Sequence, residues 1–354
     1  MSSNKSAANS KGHVPVLLSE VREQAKEVAL ELGQVAYGFD GTFGRGGHTK
    51  ALLNDHPSLR MIAFDQDAEA IQFGQTQFLG DVDCGRLQLI RGNFENLEMA
   101  RAALAQNGAT NFDFMLFDLG VSSPQLDVAS RGFSFYNDGP LDMRMDDRTE
   151  LTAAKIVNEW AEQDLARIFI EHGEVEFPFK VVRAIVQDRE KTQFETTQQL
   201  AGLIERVDGW TKKGFHPATQ YFMALRMEIN RETDVVAQML PKALKLLSPG
   251  GRLAVITFHS LEDRIVKNFF RERDAEATFG ETVKRKAIQP SDEEVARNPR
   301  SRSAKLRVFR RYQDGESKRP KNKYAHLAKT RHLSPPPDYD LADDDLGGDE
   351  EETS

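Results

Sequence analysis

The stretch 35-VAYGFDGTFGRGGH-48 decides the fold, because an apolar run leads directly into a glycine-rich turn. Glycines let the backbone approach a ligand where a Cβ would clash, and the start of a helix offers free N–H groups. In nucleotide-type cofactor sites an acid is expected at the end of the next strand, and Asp65 ends the run 62-IAFD-65. The pattern therefore predicts a Rossmann-like sheet that binds a cofactor containing adenosine.

Strands and helices alternate along the first third of the chain. Apolar runs predict strands at 35–40, 60–65, 87–92 and 112–119, and helical spacing predicts helices at 47–54, 67–78 and 95–106. Such alternation is typical of an α/β fold with a parallel sheet and helices on both faces. In these sheets the ligand lies beyond the carboxyl ends of the strands.

The alternation stops after Pro124, and residues 125–216 contain only helical patterns, at 153–160, 164–172 and 179–189 and with a helix start near 196. We interpret 125–216 as an inserted helical domain for substrate recognition. The cofactor-binding domain is then discontinuous and comprises 13–124 and 217–312. Within its second part we predict a helical stretch at 216–247 interrupted near Pro241, a turn at 248–251, a strand at 252–258, a helix at 260–271 and a last strand at 306–312.

The net charge of −8 hides a strong polarity at the carboxyl end of the 354-residue chain. Residues 338–354 hold nine acids and no base, whereas 297–333 hold thirteen Lys and Arg against two acids. We interpret 1–12 as a disordered N-terminus and 313–354 as a disordered tail, basic and then acidic. For 297–311 we predict RNA contact, because apolar residues alternate with the basic ones and basic clusters commonly meet phosphates.

Cysteine, histidine and hydropathy patterns exclude several classes. A single cysteine, Cys84, excludes an internal disulfide and favours a cytoplasmic protein. The eight histidines form no ligand-like pair, so we expect no metal. No apolar run approaches the length of a membrane span, and we expect no membrane partner. The sequence makes no prediction of oligomeric state.

The segment 117-FDLGVSSPQLD-127 separates the cofactor classes, since it follows the fourth predicted strand as a polar loop with a proline. In methyltransferases that use S-adenosylmethionine (SAM), this loop holds the group to be methylated, and dehydrogenases have no matching requirement. Here the chain resembles the bacterial 16S rRNA (cytosine-N4) methyltransferase family, RsmH (MraW). The matching segments, in order, are 13-HVPVLL-18, 40–48, 117–127, 131-RGFSF-135, 138-DGPLDMRM-145, 216-HPAT-219, 249-PGGRL-253, 258-FHSLEDR-264 and 298-NPRSRS-303.

The resemblance implies a class I SAM-dependent methyltransferase sheet with an inserted helical domain. It also implies methylation of the N4 amine of cytidine 1402 in 16S rRNA of the small ribosomal subunit. Cofactor contacts carry over to Gly46, Gly47, His48, Asp65, Phe94, Asp118 and Gln125.

Many amino methyltransferases carry Asp/Asn-Pro-Pro-aromatic after the fourth strand, but this chain has 118-DLGV-121, which leaves the general base open. Asp118 is the first candidate for holding the amine, with Asp142 and His259 behind it. Arg131, Arg144, Arg264, Arg300 and Arg302 are candidate RNA contacts, and Arg183, Arg226 and Lys267 are further candidates.

Three other functions stay open at this point. The chain can be a methyltransferase of another class that acts on DNA or on a small-molecule amine. It can be a SAM-binding or RNA-binding ribosome assembly factor without catalytic activity, although the intact glycine loop and Asp118 argue against lost activity. A dehydrogenase that uses NAD does not explain the loop at 118–127.

Overall fold

A seven-stranded sheet forms the centre of the described part of the protein, which in this computed structural model comprises residues 14–32, 35–210 and 216–317. The strands are β1 (Tyr37–Asp40), β2 (Arg60–Asp65), β3 (Leu87–Arg91), β4 (Phe112–Asp118), β5 (Leu247–Thr257), β6 (Gly280–Thr282) and β7 (Lys305–Arg311). Their order is β3-β2-β1-β4-β5-β7-β6, with β1 to β5 parallel and β7 antiparallel to both neighbours. The predicted α/β fold is confirmed, and the antiparallel β7 is a feature that the sequence pattern did not indicate.

Helices cover both faces of this sheet and fill the region between β4 and β5. They are α1 (Leu18–Leu32), α2 (Gly47–Asp55), α3 (Ala68–Gln77), α4 (Leu79–Asp83), α5 (Leu97–Gln106), α6 (Ser123–Asp127), α7 (Ala153–Glu159), α8 (Glu162–Glu171), α9 (Phe179–Arg189), α10 (Thr197–Asp208), α11 (Ala218–Asn230), α12 (Glu232–Leu246), α13 (Ser260–Ala275) and α14 (Asp292–Arg297). Short 3-10 turns lie at Ala129–Arg131 and Pro299–Ser303.

Strand β4 shows why the sheet is covered on both sides. Successive side chains of a strand point to opposite faces. Met115 and Phe117 pack into one apolar cluster, with helices α5, α12 and α13, whereas Phe114 and Leu116 pack into another, with α1 and α2. A strand that is apolar on both faces is stable only between two layers of helices. Because both faces of the sheet are covered, a ligand site is expected at the ends of the strands.

A third apolar cluster belongs to the helices between β4 and β5. It joins buried side chains of α7, α8, α9 and α10, and the edge-to-face pair of Phe169 and Tyr221 brings α11 into it. Its members run from Leu141 to Ile229, so this core extends past residue 216, where we ended the predicted insertion.

Two local predictions were wrong. The helical stretch after 216 breaks at Arg231, which has φ 50° between α11 and α12, and α12 continues through Pro241 because buried residues on either side, from Val235 to Leu244, hold it. The predicted turn at 248–251 is the irregular beginning of β5, where the pairing register with β4 shifts and Gly250 has φ 78°. Sequence patterns also missed β6 and α14, although Ser291 before three acids is a regular helix start.

The predicted disordered N-terminus at 1–12 and most of the predicted tail at 313–354 lie outside the described residues. Within the described ranges, no helix combines the length and apolar character needed to cross a membrane.

Candidate active site

A cavity of about 530 Å³ lies at the carboxyl ends of the parallel strands, as the fold predicts. Each of the five parallel strands contributes residues at or just after its end: Gly41 to His48 after β1, Asp65 from β2, Phe94 after β3, Asp118 from β4 and Phe258 after β5. A volume of this size is in the range of small-molecule and cofactor sites.

The glycine-rich turn is shaped by its own packing. Gly46 caps helix α2 with φ 68°, and a Cβ there would lie 2.5 Å from a ring atom of Phe78 and 2.6 Å from one of Phe43. A Cβ on Gly47 would lie 2.4 Å from Pro15. Gly47 lines the cavity and Gly46 lies behind it, and close packing against a neighbouring side chain excludes a Cβ from both.

Asp65 holds the turn and the start of α3 in place. One carboxylate oxygen accepts the backbone N–H of Gly44 (2.7 Å) and the other accepts that of Asp67 (2.9 Å). Burial raises the pKa of Asp65 to about 6, although these two N–H groups favour the ionised form. Each oxygen keeps a further lone pair for a ligand. Asp67, not Asp65, is the N-cap of α3, so the capping role does not explain Asp65.

His48 and Asp118 come together on the cavity wall. The imidazole Nε2 lies 3.5 Å from Oδ2 of Asp118, and Asp118 is fixed by its backbone N–H, which donates to Thr42 (2.7 Å). Among the described residues, neither ring nitrogen of His48 nor Oδ1 of Asp118 has a hydrogen-bond partner, although all three atoms are buried. Buried polar atoms without partners cost free energy, and their concentration at one place indicates a polar ligand.

Phe94 and Gln125 also line the cavity, but each has a structural partner. Phe94 meets Phe117 edge to face at 5.5 Å, so it belongs to the cavity wall and to the core at once. Gln125 accepts the backbone N–H of Ser122 (2.9 Å) at the start of α6 and donates to Asp67 (3.1 Å). Its side chain therefore ties the loop after β4 to the loop after β2.

The other two predicted catalytic residues lie elsewhere. Both oxygens of Asp142 are taken by Arg144 (2.8 and 2.7 Å), and Asp142 is not part of the cavity lining. His259 is the N-cap of α13, and its ring lies 3.0 Å from Glu262, which does line the cavity. These positions argue against Asp142 as a catalytic group and leave His259 as a neighbour of the site.

Sequence reasoning missed a buried charged network beside the cavity. Arg226 donates to both oxygens of Glu232 (2.7 and 2.8 Å), and ligand atoms of Glu232, His259 and Glu262 lie within 4.8 Å of one another. Such a triad raises the question of a metal. However, the guanidinium of Arg226 already supplies the counter-charge of Glu232, and His259 Nδ1 faces the backbone N–H of Glu262 at 3.5 Å, which favours a proton on Nε2. Although burial opposes ionisation, His259 and Arg226 lower the pKa of Glu262, which fits an ion-pair network.

Several arginines that we predicted as RNA contacts have internal partners. Arg131 donates to Asp67 (2.7 Å) and to the carbonyl of Arg144 (3.1 Å), and Arg144 is bound to Asp142. Arg226 is bound to Glu232, as described above. Because these guanidinium groups are engaged within the fold, their positions argue against phosphate contacts.

The predicted basic segment 297–311 also contains arginines that have acid partners within the fold and arginines that are exposed. Arg307 is buried against Asp263 (2.6 Å), and Arg310 pairs with Glu316 (2.5 Å), so these two charges of β7 are engaged within the fold. Arg302 and Arg264 are exposed, without an ion pair among the described residues. Arg300 lines the cavity and pairs with Asp127 (2.7 Å).

Comparison with known proteins identifies the family. Residues 10–312 match the MraW methylase family. The chain belongs to the MraW methylase family. Membership confirms the predicted enzyme class, a methyltransferase, and with it SAM as the methyl donor.

Two curated relatives, both named ribosomal RNA small subunit methyltransferase H, come from Bdellovibrio bacteriovorus and Idiomarina loihiensis. The first is 55% identical over 299 residues, covering 84% of this chain and 88% of the relative. The second is 45% identical over 315 residues, covering 84% and 96%. Among solved structures, an rRNA methylase from Streptococcus thermophilus aligns with 82% of this chain and 95% of its own at 13% identity and a TM-score of 0.39.

Proposed function

We propose that this MraW-family protein transfers the methyl group of SAM to the exocyclic N4 amine of a cytidine in small-subunit ribosomal RNA, at position 1402 of 16S rRNA. The observation that carries the proposal is Asp118, whose carboxylate stands at the end of β4 within one cavity with His48, Asp65 and Phe94. The names of the two curated relatives support the RNA substrate.

The cavity residues fit the parts of SAM. Asp65 has acceptor capacity for the ribose hydroxyls, and Phe94 offers a ring to the adenine. Gly47 lines the cavity at the start of α2, where unpaired helix N–H groups attract an anionic carboxylate. The buried atoms of His48 and Asp118 that lack partners supply polar contacts for the amino-acid end or for the acceptor amine.

The acceptor amine needs help because its lone pair is delocalised into the cytosine ring. SAM supplies a methyl group that is bonded to a positively charged sulfur, and this sulfur is a good leaving group. We assign to Asp118 the hydrogen bond that orients the N4 amine and turns its lone pair out of conjugation with the cytosine ring. Positioning of two reactants in this way accounts for much of the rate in many enzymes, and a carboxylate that accepts a proton adds to it.

The RNA is expected to meet exposed cations of the protein. The exposed Arg264 and Arg302 remain candidates for phosphate contacts, whereas Arg300, at the cavity wall, is paired with Asp127. We assign substrate recognition to the helical core from Leu141 to Ile229, which forms an apolar cluster separate from the two clusters of the sheet. The target base has to leave its stack to reach the sulfonium. The cytoplasmic location stays a prediction.

The proposal is tested by incubating the protein with labelled SAM and small ribosomal subunits from a strain that lacks the enzyme, followed by mass spectrometry of the nucleosides. N4-methylated cytidine at position 1402 is the expected product. Label in another nucleotide would replace the proposed substrate. Binding of SAM without any label in RNA would contradict the proposed reaction.

A further inference from the structure

Arg45 stands apart from the other arginines that line or flank the cavity. Its guanidinium is exposed, lines the cavity and has no carboxylate partner among the described residues. By contrast, Arg131, Arg226 and Arg300 are each bound to an acid at 2.7 Å. An arginine without an internal counter-charge is available to an anionic ligand.

The side chain of Arg45 is nevertheless held in one place. Its guanidinium carbon lies 4.4 Å from the centre of the Phe73 ring, a cation–π contact with a second residue of the cavity wall. Stacking occupies one face of the guanidinium and leaves the N–H groups at its edge free to donate. The ring thus orients the cation without neutralising it.

The backbone at Arg45 is fixed as well. Arg45 lies between Gly44 and Gly46, which both adopt left-handed φ angles, 54° and 68°. The N–H of Gly44 is bound by Asp65 (2.7 Å), and that of Gly46 by the carbonyl of Phe43 (2.6 Å). A cation preorganised by its backbone and by a ring loses little conformational entropy when it binds.

We propose that Arg45 binds a phosphodiester of the substrate RNA beside the target nucleotide, at the mouth of the cavity. The inference rests on the proposed function, because it assigns a contact to the same RNA substrate. Arginine matches the planar geometry of phosphate oxygens, and its location on the cavity wall ties this contact to the nucleotide that enters the cavity. The carboxylate of SAM is the competing anion, and the experiment separates the two sources.

Four variants test the assignment. Arg45→Gln removes the charge, Arg45→Lys keeps the charge without the stacked plane, and Phe73→Leu keeps Arg45 but removes its support. Lys50→Gln is the matched control, because Lys50 is an exposed cation on the neighbouring helix α2 outside the cavity. For each protein, KM and kcat with small subunits are measured at several salt concentrations, and SAM affinity is measured by calorimetry.

Arg45→Gln is expected to raise the KM for small subunits about tenfold and to reduce the slope of log affinity against log salt by about 1, with SAM affinity within about twofold. Arg45→Lys and Phe73→Leu should keep the salt slope and raise the KM for small subunits less than Arg45→Gln does. If Arg45→Gln does not fold, these two variants carry the test. An unchanged KM and slope in Arg45→Gln would overturn the inference. A parallel loss of SAM affinity would also overturn it, since the anion is then the cofactor. Absence of label with the unaltered protein would instead reject the proposed function itself.

Discussion

The raised pKa of Asp65 makes cofactor binding depend on pH in a calculable way. Burial raises this pKa to about 6, and in the proposed site the two ribose hydroxyls of SAM donate to the ionised carboxylate. Affinity is therefore full above about pH 7 and declines as the pH falls through 6. If only the ionised form binds, the apparent Kd grows by a factor of roughly 1 + 10^(6 − pH), which is about 1.1 at pH 7 and about 11 at pH 5. We predict that SAM binds about tenfold more weakly at pH 5 than at pH 7.

Isothermal calorimetry at pH 5, 6 and 7 measures this loss directly. In buffers of different ionisation enthalpy, it also counts protons, and binding at pH 6 should release about half a proton from the free protein. Asp65→Asn is the control, because this variant has no carboxyl group at position 65. Its affinity for SAM should be weak and should not change with the protonation that weakens binding in the unaltered protein. Groups other than Asp65 contribute to both proteins and cancel in the ratio. A Kd that stays constant from pH 7 to pH 5, with no proton release at pH 6, would refute this role of Asp65.

Three further predictions concern catalysis and stability. Asp118→Ala should lower kcat for methyl transfer by about 10²- to 10⁴-fold with an unchanged thermal midpoint, and unchanged turnover would remove Asp118 from the reaction. Gly46→Ala should lower the free energy of unfolding by about 2–4 kcal/mol, because the strain of a left-handed alanine adds to clashes with two aromatic rings. The control is Gly85→Ala, where φ is 72° but no atom lies near the new Cβ. It should cost only about 1–2 kcal/mol in the same denaturant titration. Glu232→Gln should destabilise by about 3–5 kcal/mol, since it leaves a buried arginine without its counter-charge, whereas Glu98→Gln at an exposed pair should change stability by less than about 0.5 kcal/mol. Equal losses in these last two variants would contradict the assigned difference in burial.

The sheet could be predicted from sequence because its determinants are local. The predicted bounds of β2, 60–65, agree with the structure, and those of β1, β3 and β4 differ by at most two residues at either end. An apolar run between turn residues is sufficient information for a buried strand. The break at Arg231 could not be predicted in this way, because a left-handed arginine carries no local signal and Pro241 carries a misleading one.

The cavity shows the same division between local and long-range information. Asp65 and Asp118 were predicted from their position after apolar runs, and both line the cavity. Asp142 lies within a recognisable motif, 138–145, but its carboxylate is bound by Arg144 two residues later, which the motif does not indicate. Charge alone likewise did not separate Arg131, which is paired with Asp67, from Arg45, which has no acid beside it.

The pairing of arginines therefore distinguishes two uses of positive charge in this fold. A partly buried arginine is stabilised by a carboxylate close by, and Arg131 and Arg226, both mostly withdrawn from solvent, each have an acid partner beside the cavity. An exposed arginine has no such requirement, because water solvates it, and a cation–π contact at an exposed site adds only about 0.5–1 kcal/mol of stability. Arg45 is exposed and yet oriented, by Phe73 and by a glycine on either side. That combination is expected for a ligand contact, which needs both free donors and a defined position.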